Sequence, residues 1–336
     1  MRAKKIKKWS LTLGILTATA FAASFLALCA GSAGIHFTDI PHIFFHGKGS
    51  VEHSILFDIR LPRIILGLAI GGALGLAGAL LQGIFRNPLV EPYTLGISGG
   101  ASLGVCLNII FRLHEKLGII AYPVSGFIGA SFVIFLVYGL NRNTERMKSN
   151  NMLLTGVMIS YVSSSIVMFL MAVSKNDDLH NIVFWIMGSL DEPNSFLIKT
   201  AVLVSISGLF VSYFFCFDLN ALALGEEEAT HLGVNAVRTK KLVFVTASLM
   251  TGLSVSVAGI IMFVGLIVPH FMRMIMGPDH RPLLVASFLA GASFLTVCDV
   301  IARTVISPLE LPVGVITGII GGIVFIYGLS GKKARL

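Results

Sequence analysis

Side chains able to do chemistry are sparse in this sequence and fall in a few separate places. Asp299 and Arg303 stand one helical turn apart near the end of an apolar stretch, a spacing that lets them pair on one helix face. Three glutamates, Glu226, Glu227 and Glu228, follow Gly225 and precede Gly233. The glycines can break this segment into short helices, and the acids then sit at a helix N-terminus, where negative charge is favoured. The segment reads either as a capped surface helix or as a contact for a soluble motor. His36, His42, His46 and His53 crowd one polar stretch with no partner ligand in evidence. Solvated loop histidines are the commoner case, and no metal site is expected. Cys29, Cys106, Cys216 and Cys298 lie in apolar runs without C-x-x-C spacing, which indicates neither a disulfide framework nor a zinc site.

Much chemistry is excluded. No catalytic cluster is evident, so the chain is not read as an enzyme, and no cofactor is expected. The phosphate loop G-x-x-x-x-G-K-[ST] is missing: Gly331-Lys332-Lys333 lacks both the upstream glycine and the Ser/Thr. An ion-coupled secondary transporter usually carries ionisable residues inside its spans. Here the apolar runs hold mainly neutral polar residues, such as Gln82, Asn108, Thr155 and Ser163, which can bond between helices or wet a cavity. Active transport by this chain would therefore draw its energy from a partner.

The elements that must position these residues are membrane helices. Of 336 residues, 55% are hydrophobic and 12% charged, about half the charged fraction of a soluble domain. Apolar runs recur that are long enough to cross a hydrocarbon core of about 30 Å. They fall at roughly 9–34, 61–84, 93–111, 117–140, 152–173, 196–216, 240–257, 259–275, 283–302 and 313–330. The first follows a basic N-terminus and is read as an uncleaved span. Between the seventh and eighth, Ala258-Gly259 is a plausible break, and Pro269 suggests an irregular end. Ten crossings put most of the 25 basic residues, with both termini, in the cytoplasm. The net charge of +8 follows from that bias and does not call for nucleic acid. The outer segments 35–59 and 174–195 are long enough for short surface helices. With no linker or repeat, residues 1–336 read as one transmembrane domain.

Lipid gives helices no hydrophobic drive to associate, so close backbone approach matters. Small residues at four-residue spacing mark three spans: Gly67, Gly71 and Gly75, with Gly78 offset; Gly96, Gly100 and Gly104; and Gly314, Gly318 and Gly322. Tight packing is the commoner role, and a path or dimer contact is the alternative.

Five stretches together resemble one family. They are Arg60-Leu61-Pro62-Arg63; Gln82 through Asn87-Pro88-Leu89-Val90-Glu91-Pro92 to Gly100; Leu224-Gly225-Glu226-Glu227-Glu228-Ala229 with Leu232-Gly233-Val234; Gly259 through Pro269-His270 to Arg281; and Asp299 to Arg303 with Glu310-Leu311-Pro312-Val313-Gly314. Their order is that of the FecCD-type permeases of ABC importers for iron–siderophore complexes, haem and cobalamin. The resemblance implies an all-α, polytopic type II importer permease of ten spans in a bacterial inner or plasma membrane. A second permease, by expectation an identical chain, would complete the path. Two ATPase subunits would dock inside and a substrate-binding protein outside. It implies that Leu224, Gly225, Glu226, Glu227, Ala229, Leu232 and Gly233, within a loop at about 218–235, couple to the ATPase. It assigns Arg60, Arg63 and Arg303 to binding-protein docking. Gln82, Asn87, Pro88, Leu89, Ser149 and Asn150 would belong to the path or its gate. After Gly321-Gly322 the family commonly has Pro, whereas this chain has Ile323-Val324. Molybdate or tungstate import by the same family, or ion-coupled transport, are the alternatives.

Overall fold

The computed structural model describes residues 2–31, 38–47, 49–118, 120–141 and 149–330. Arg142, Arg146, Lys148, Lys332, Lys333 and Arg335, which weigh in the charge bias, lie outside the described residues, as do His36 and Lys48. No strand occurs among the described residues, so the all-α expectation holds.

The first apolar run forms α1 (Arg2–Cys29). The chain then folds into α2 (Ile40–His46) and α3 (Val51–Ser54), and a π-helical turn, Ile55–Arg60, runs straight into α4 (Leu61–Phe85). A 3-10 turn, Pro92–Leu95, leads to α5 (Ile97–Ile110). Next come α6 (Leu113–Leu117), α7 (Ala121–Asn141), α8 (Ser149–Val173), α9 (Asn176–Met187) and α10 (Ser195–Phe214). Short helices α11 (Cys216–Leu224) and α12 (Glu226–His231) precede α13 (Ala236–Ala258), α14 (Val264–Met276), α15 (His280–Thr304) and α16 (Val313–Ser330). Seven of these helices are long and apolar enough to cross a membrane, and three shorter apolar ones lie at Ile97–Ile110, Val264–Met276 and Val313–Gly328. Together they occupy the ten expected crossings. Both long segments expected outside do contain short helices, α2 and α3 in one and α9 in the other.

The seventh and eighth spans divide where expected. Helix α13 stops at Ala258, and Gly259 follows at φ 70. Residues 259–263 are not helical. The 13 residues of α14 rise only about 20 Å, so this span is short. Pro269 corrects the sequence reading, because it lies inside α14 instead of at an irregular end. Lacking an N–H, it leaves the carbonyl four residues back without a helical donor. That carbonyl belongs to Gly265. Gln82 Nε2 reaches across from α4 and donates to it at 3.4 Å and to the Leu266 carbonyl at 3.1 Å. A side chain on a neighbouring span thus satisfies the freed backbone, as an apolar surrounding demands.

Helix α4 is the hub: it packs against α1, α10, α13, α14 and α15. Two of the glycine rows explain how. A Cβ on Gly71 or Gly75 would collide with the Gly291 or Ser287 carbonyl of α15, and one on Gly78 with the Gly265 carbonyl of α14. Gly100 and Gly129 likewise bring α5 against α7. The third row differs. Gly314 abuts the Met187 and Ile260 carbonyls, but Gly318 and Gly322 have only side-chain atoms near, Met262 at 3.6 Å and Phe263 at 3.9 Å. It is Gly321 that receives the close approach of Phe263. Helix α16 runs unbroken through Ile323-Val324, so the absent proline leaves a continuous last helix.

Candidate functional site

At the N-terminal end of α4 the three arginines singled out in the sequence come together, and they are buried. Arg60, Arg63 and Arg303 are 2%, 5% and 5% exposed. Arg63 Nε donates to Asp299 Oδ1 at 2.8 Å, while its Nη1 donates to Glu310 Oε2 at 2.6 Å. Arg303 forms the expected i,i+4 ion pair with Asp299, at 3.0 Å. The remaining donors face the end of α1. Arg60 Nη1 donates to the carbonyls of Leu28 at 2.5 Å and Cys29 at 3.2 Å, and Arg303 to those of Ala27 and Ala30 at 3.2 and 3.3 Å. A helix ends with carbonyls lacking partners and with partial negative charge, which cations satisfy. The cluster therefore ties α1, α4 and α15 together. Glu310 is its exposed member, at 46%. Sequence reasoning quoted Glu310 as part of a motif and gave it no role.

At the opposite end, α11 and α12 form a hairpin-like pair. Gly225 has φ 142, a conformation that L side chains rarely adopt, and separates the two helices. Gly233, at φ 84, ends the segment. Glu226, Glu227 and Glu228 fill the first turn of α12, as expected. Glu226 Oε1 is held by the buried Lys240 Nζ at 2.5 Å. Ala229 is fully buried against Leu222 and Ala236, whereas Leu224 and Leu232 are 65% and 64% exposed. The pair is braced to the spans: Thr239 Oγ1 donates to Asp218 at 2.9 Å, and Asn220 Nδ2 to Asp279 at 3.1 Å. Two bonds from the Arg281 side chain hold the Asp279 carboxyl well below the usual carboxylate range. A groove of roughly 1060 Å³ opens here, with Arg86, Glu226, Glu227, Glu228, His231 and Asn235 among its walls. It presents apolar side chains beside acids, which suits a soluble protein partner.

Between these ends runs the segment 86–95. Arg86 adopts a left-handed conformation, φ 51, that ends α4. Asn87 Oδ1 accepts from Leu89 N at 2.9 Å, making a tight turn that leaves Leu89 54% exposed beside the half-buried Pro88. Gln82 is 1% exposed, and its Nε2 bonds backbone carbonyls. Ser149 and Asn150 begin α8, but their side chains lie outside the described residues. Sequence reasoning missed the anchors of this segment. Glu91 Oε1 accepts from Phe263 N at 2.6 Å, and the Tyr93 hydroxyl accepts from Ile261 N at 3.2 Å. Both hold the break between α13 and α14. The only signal was a carboxylate set next to a proline with no nearby cation. Among the described residues there is no group of three or more His, Cys, Asp or Glu placed to hold a metal.

A sequence model described as the FecCD transport family matches residues 18–330. Curated relatives include the Fe(3+) dicitrate transport system permease protein FecD of Escherichia coli, 40% identical over 83% of this chain and 86% of its own length. The cobalamin import system permease protein BtuC of Halobacterium salinarum is 38% identical over 86% of this chain and 77% of the relative. The hemin transport system permease protein HmuU of Yersinia pestis is 37% identical over 84% of each. Among solved structures, a metal-chelate type ABC transporter in an inward-facing conformation superposes with a TM-score of 0.83 at 28% identity, covering 96% of this chain and 99% of the other.

Proposed function

The chain belongs to the FecCD transport family, and from that premise we infer that it is the permease subunit of an ATP-driven importer carrying a metal chelate into the cytoplasm. Iron–siderophore, haem and cobalamin form the substrate class. Relatives named for Fe(3+) dicitrate, hemin and cobalamin transport stand at nearly equal identity, so overall similarity does not rank the three. The observation that carries the coupling reading is the α11–α12 pair: a braced, acid-bearing hairpin with exposed Leu224 and Leu232, in a sequence without a phosphate loop. One ATPase subunit docks there on each of two permease copies, two in all. A second copy of the chain completes the path, and residues 1–336 act as one transmembrane domain with both ends in the cytoplasm. Apolar side chains on α8 and α16, such as Tyr161, Phe169, Ile323 and Tyr327, are exposed in the single chain, which suits lipid and a second copy. Asn87, Pro88 and Leu89, with the start of α8 at Ser149 and Asn150, form the inner gate, and Gln82 holds that gate segment in place.

Outside, Arg60, Arg63 and Arg303 receive acidic residues of a substrate-binding protein. A cluster of three guanidinium groups with two carboxylates is net positive, which steers an acidic partner. Arg60→Glu combined with Arg63→Glu is expected to abolish docking while leaving basal ATPase activity; normal docking by the inserted double variant rejects the assignment.

A further inference from the structure

Resting on that docking reading, we propose that Glu310 is an intramolecular stand-in for the partner's carboxylate: it occupies Arg63 in the undocked chain and yields its place when the binding protein arrives. The geometry separates the two carboxylates on Arg63. Asp299 is 2% exposed and holds Arg63 Nε while also pairing with Arg303. Glu310 holds Nη1 and is 46% exposed. Removing Asp299 from its arginines would strand a buried charge, a costly event. Releasing Glu310 strands nothing: its carboxylate turns to water, and the incoming carboxylate takes the same charge-assisted hydrogen bond. Arg63 stays paired throughout through Asp299. The exchange keeps the number of ion pairs constant, so docking proceeds without exposing an unsatisfied guanidinium at any stage.

The backbone around Glu310 allows this. Leu309 N donates to the Ile306 carbonyl at 2.9 Å, and Leu311 N to the Ala302 carbonyl at 3.0 Å. The loop after α15 is therefore pinned on both sides of Glu310, and the exchange needs only a side-chain rotation. Leu309 is 69% exposed beside it, so the contact lies at the surface of the outer end. Arg60 and Arg303 differ from Arg63. Their donors are engaged by α1 carbonyls that form part of a helix end. The structure thus assigns Arg63 as the arginine most readily handed to a partner and Glu310 as the group that sets the affinity.

The test measures docking of the transporter's own substrate-binding protein to the permease–ATPase complex in nanodiscs. Glu310→Gln removes the competing charge and is expected to tighten docking about two- to fivefold, the range for a half-exposed ion pair. Asp177→Asn removes an equal charge from an exposed site on the other outer segment and controls for long-range steering. In an Arg63→Lys background, which keeps the buried charge, the gain from Glu310→Gln is expected to shrink markedly. If Glu310→Gln docks like the unaltered chain, or gains no more than Asp177→Asn, the stand-in proposal is overturned. If instead Arg60→Glu with Arg63→Glu docks normally, the docking reading itself falls, so the two failures are told apart.

Discussion

At the scale of single residues, the buried arginines show where sequence spacing informs and where it stops. The Asp299–Arg303 pair was legible, because one helical turn separates the two residues. The Arg63–Glu310 bond was not: 247 positions separate the partners, and only the packing of α4 against α15 brings them together. Asp299→Ala is expected to leave Arg63 and Arg303 as buried cations with fewer partners, costing about 3–5 kcal/mol. The readout is a lower thermal midpoint and reduced insertion of the detergent-purified chain; an unchanged midpoint would show that water already solvates the cluster. At the opposite end, Glu226→Lys sets a cation against Lys240, which now holds Glu226 at 2.5 Å. Either this change or Gly225→Arg, which puts a side chain where φ is 142, is expected to leave ATP hydrolysis running while uptake is lost. Well-inserted variants with full uptake would refute the coupling role.

At the scale of elements, apolar run length and the glycines located the helices, because both are local properties. The break at Gly259 was legible for the same reason. The path of α14 was not, since the cost of Pro269 is met by a residue on another span. Gln82→Leu keeps the volume but leaves the Gly265 and Leu266 carbonyls without their side-chain donor. It is expected to cost about 1–3 kcal/mol and to loosen the 86–95 segment, seen as faster amide exchange in α14. Unchanged exchange would mean that another donor replaces it. Glu91 escaped notice because a carboxylate beside a helix start looks like a solvated loop acid until the partner, the Phe263 amide, is known. The Asp279 cap of α15 carries a sign for acid stability. Its carboxyl is held below its ordinary 3.8, so its contribution is whole above that value and is lost as pH falls below it. The Asp279 contribution to the α11–α15 junction should therefore stay constant from neutrality down to about 5.

At the scale of the whole molecule, ten apolar helices arrange two chemically distinct ends around the glycine-packed hub α4. One end gathers guanidinium groups, and the opposite end offers a braced acidic hairpin. The sequence divides the same way, because charged residues gather between the apolar runs and near their ends. The account holds that this chain is a conduit whose energy comes from an ATPase seated on α11 and α12. Its most direct test is uptake into liposomes that hold the permease with its ATPase subunits and binding protein, using ferric siderophores, haem, cobalamin and, as controls, molybdate and tungstate. The account predicts accumulation of at least one chelate with ATP inside, none with a non-hydrolysable analogue, and loss of uptake with Glu226→Lys. Accumulation driven by a proton or sodium gradient, without the ATPase, would contradict it.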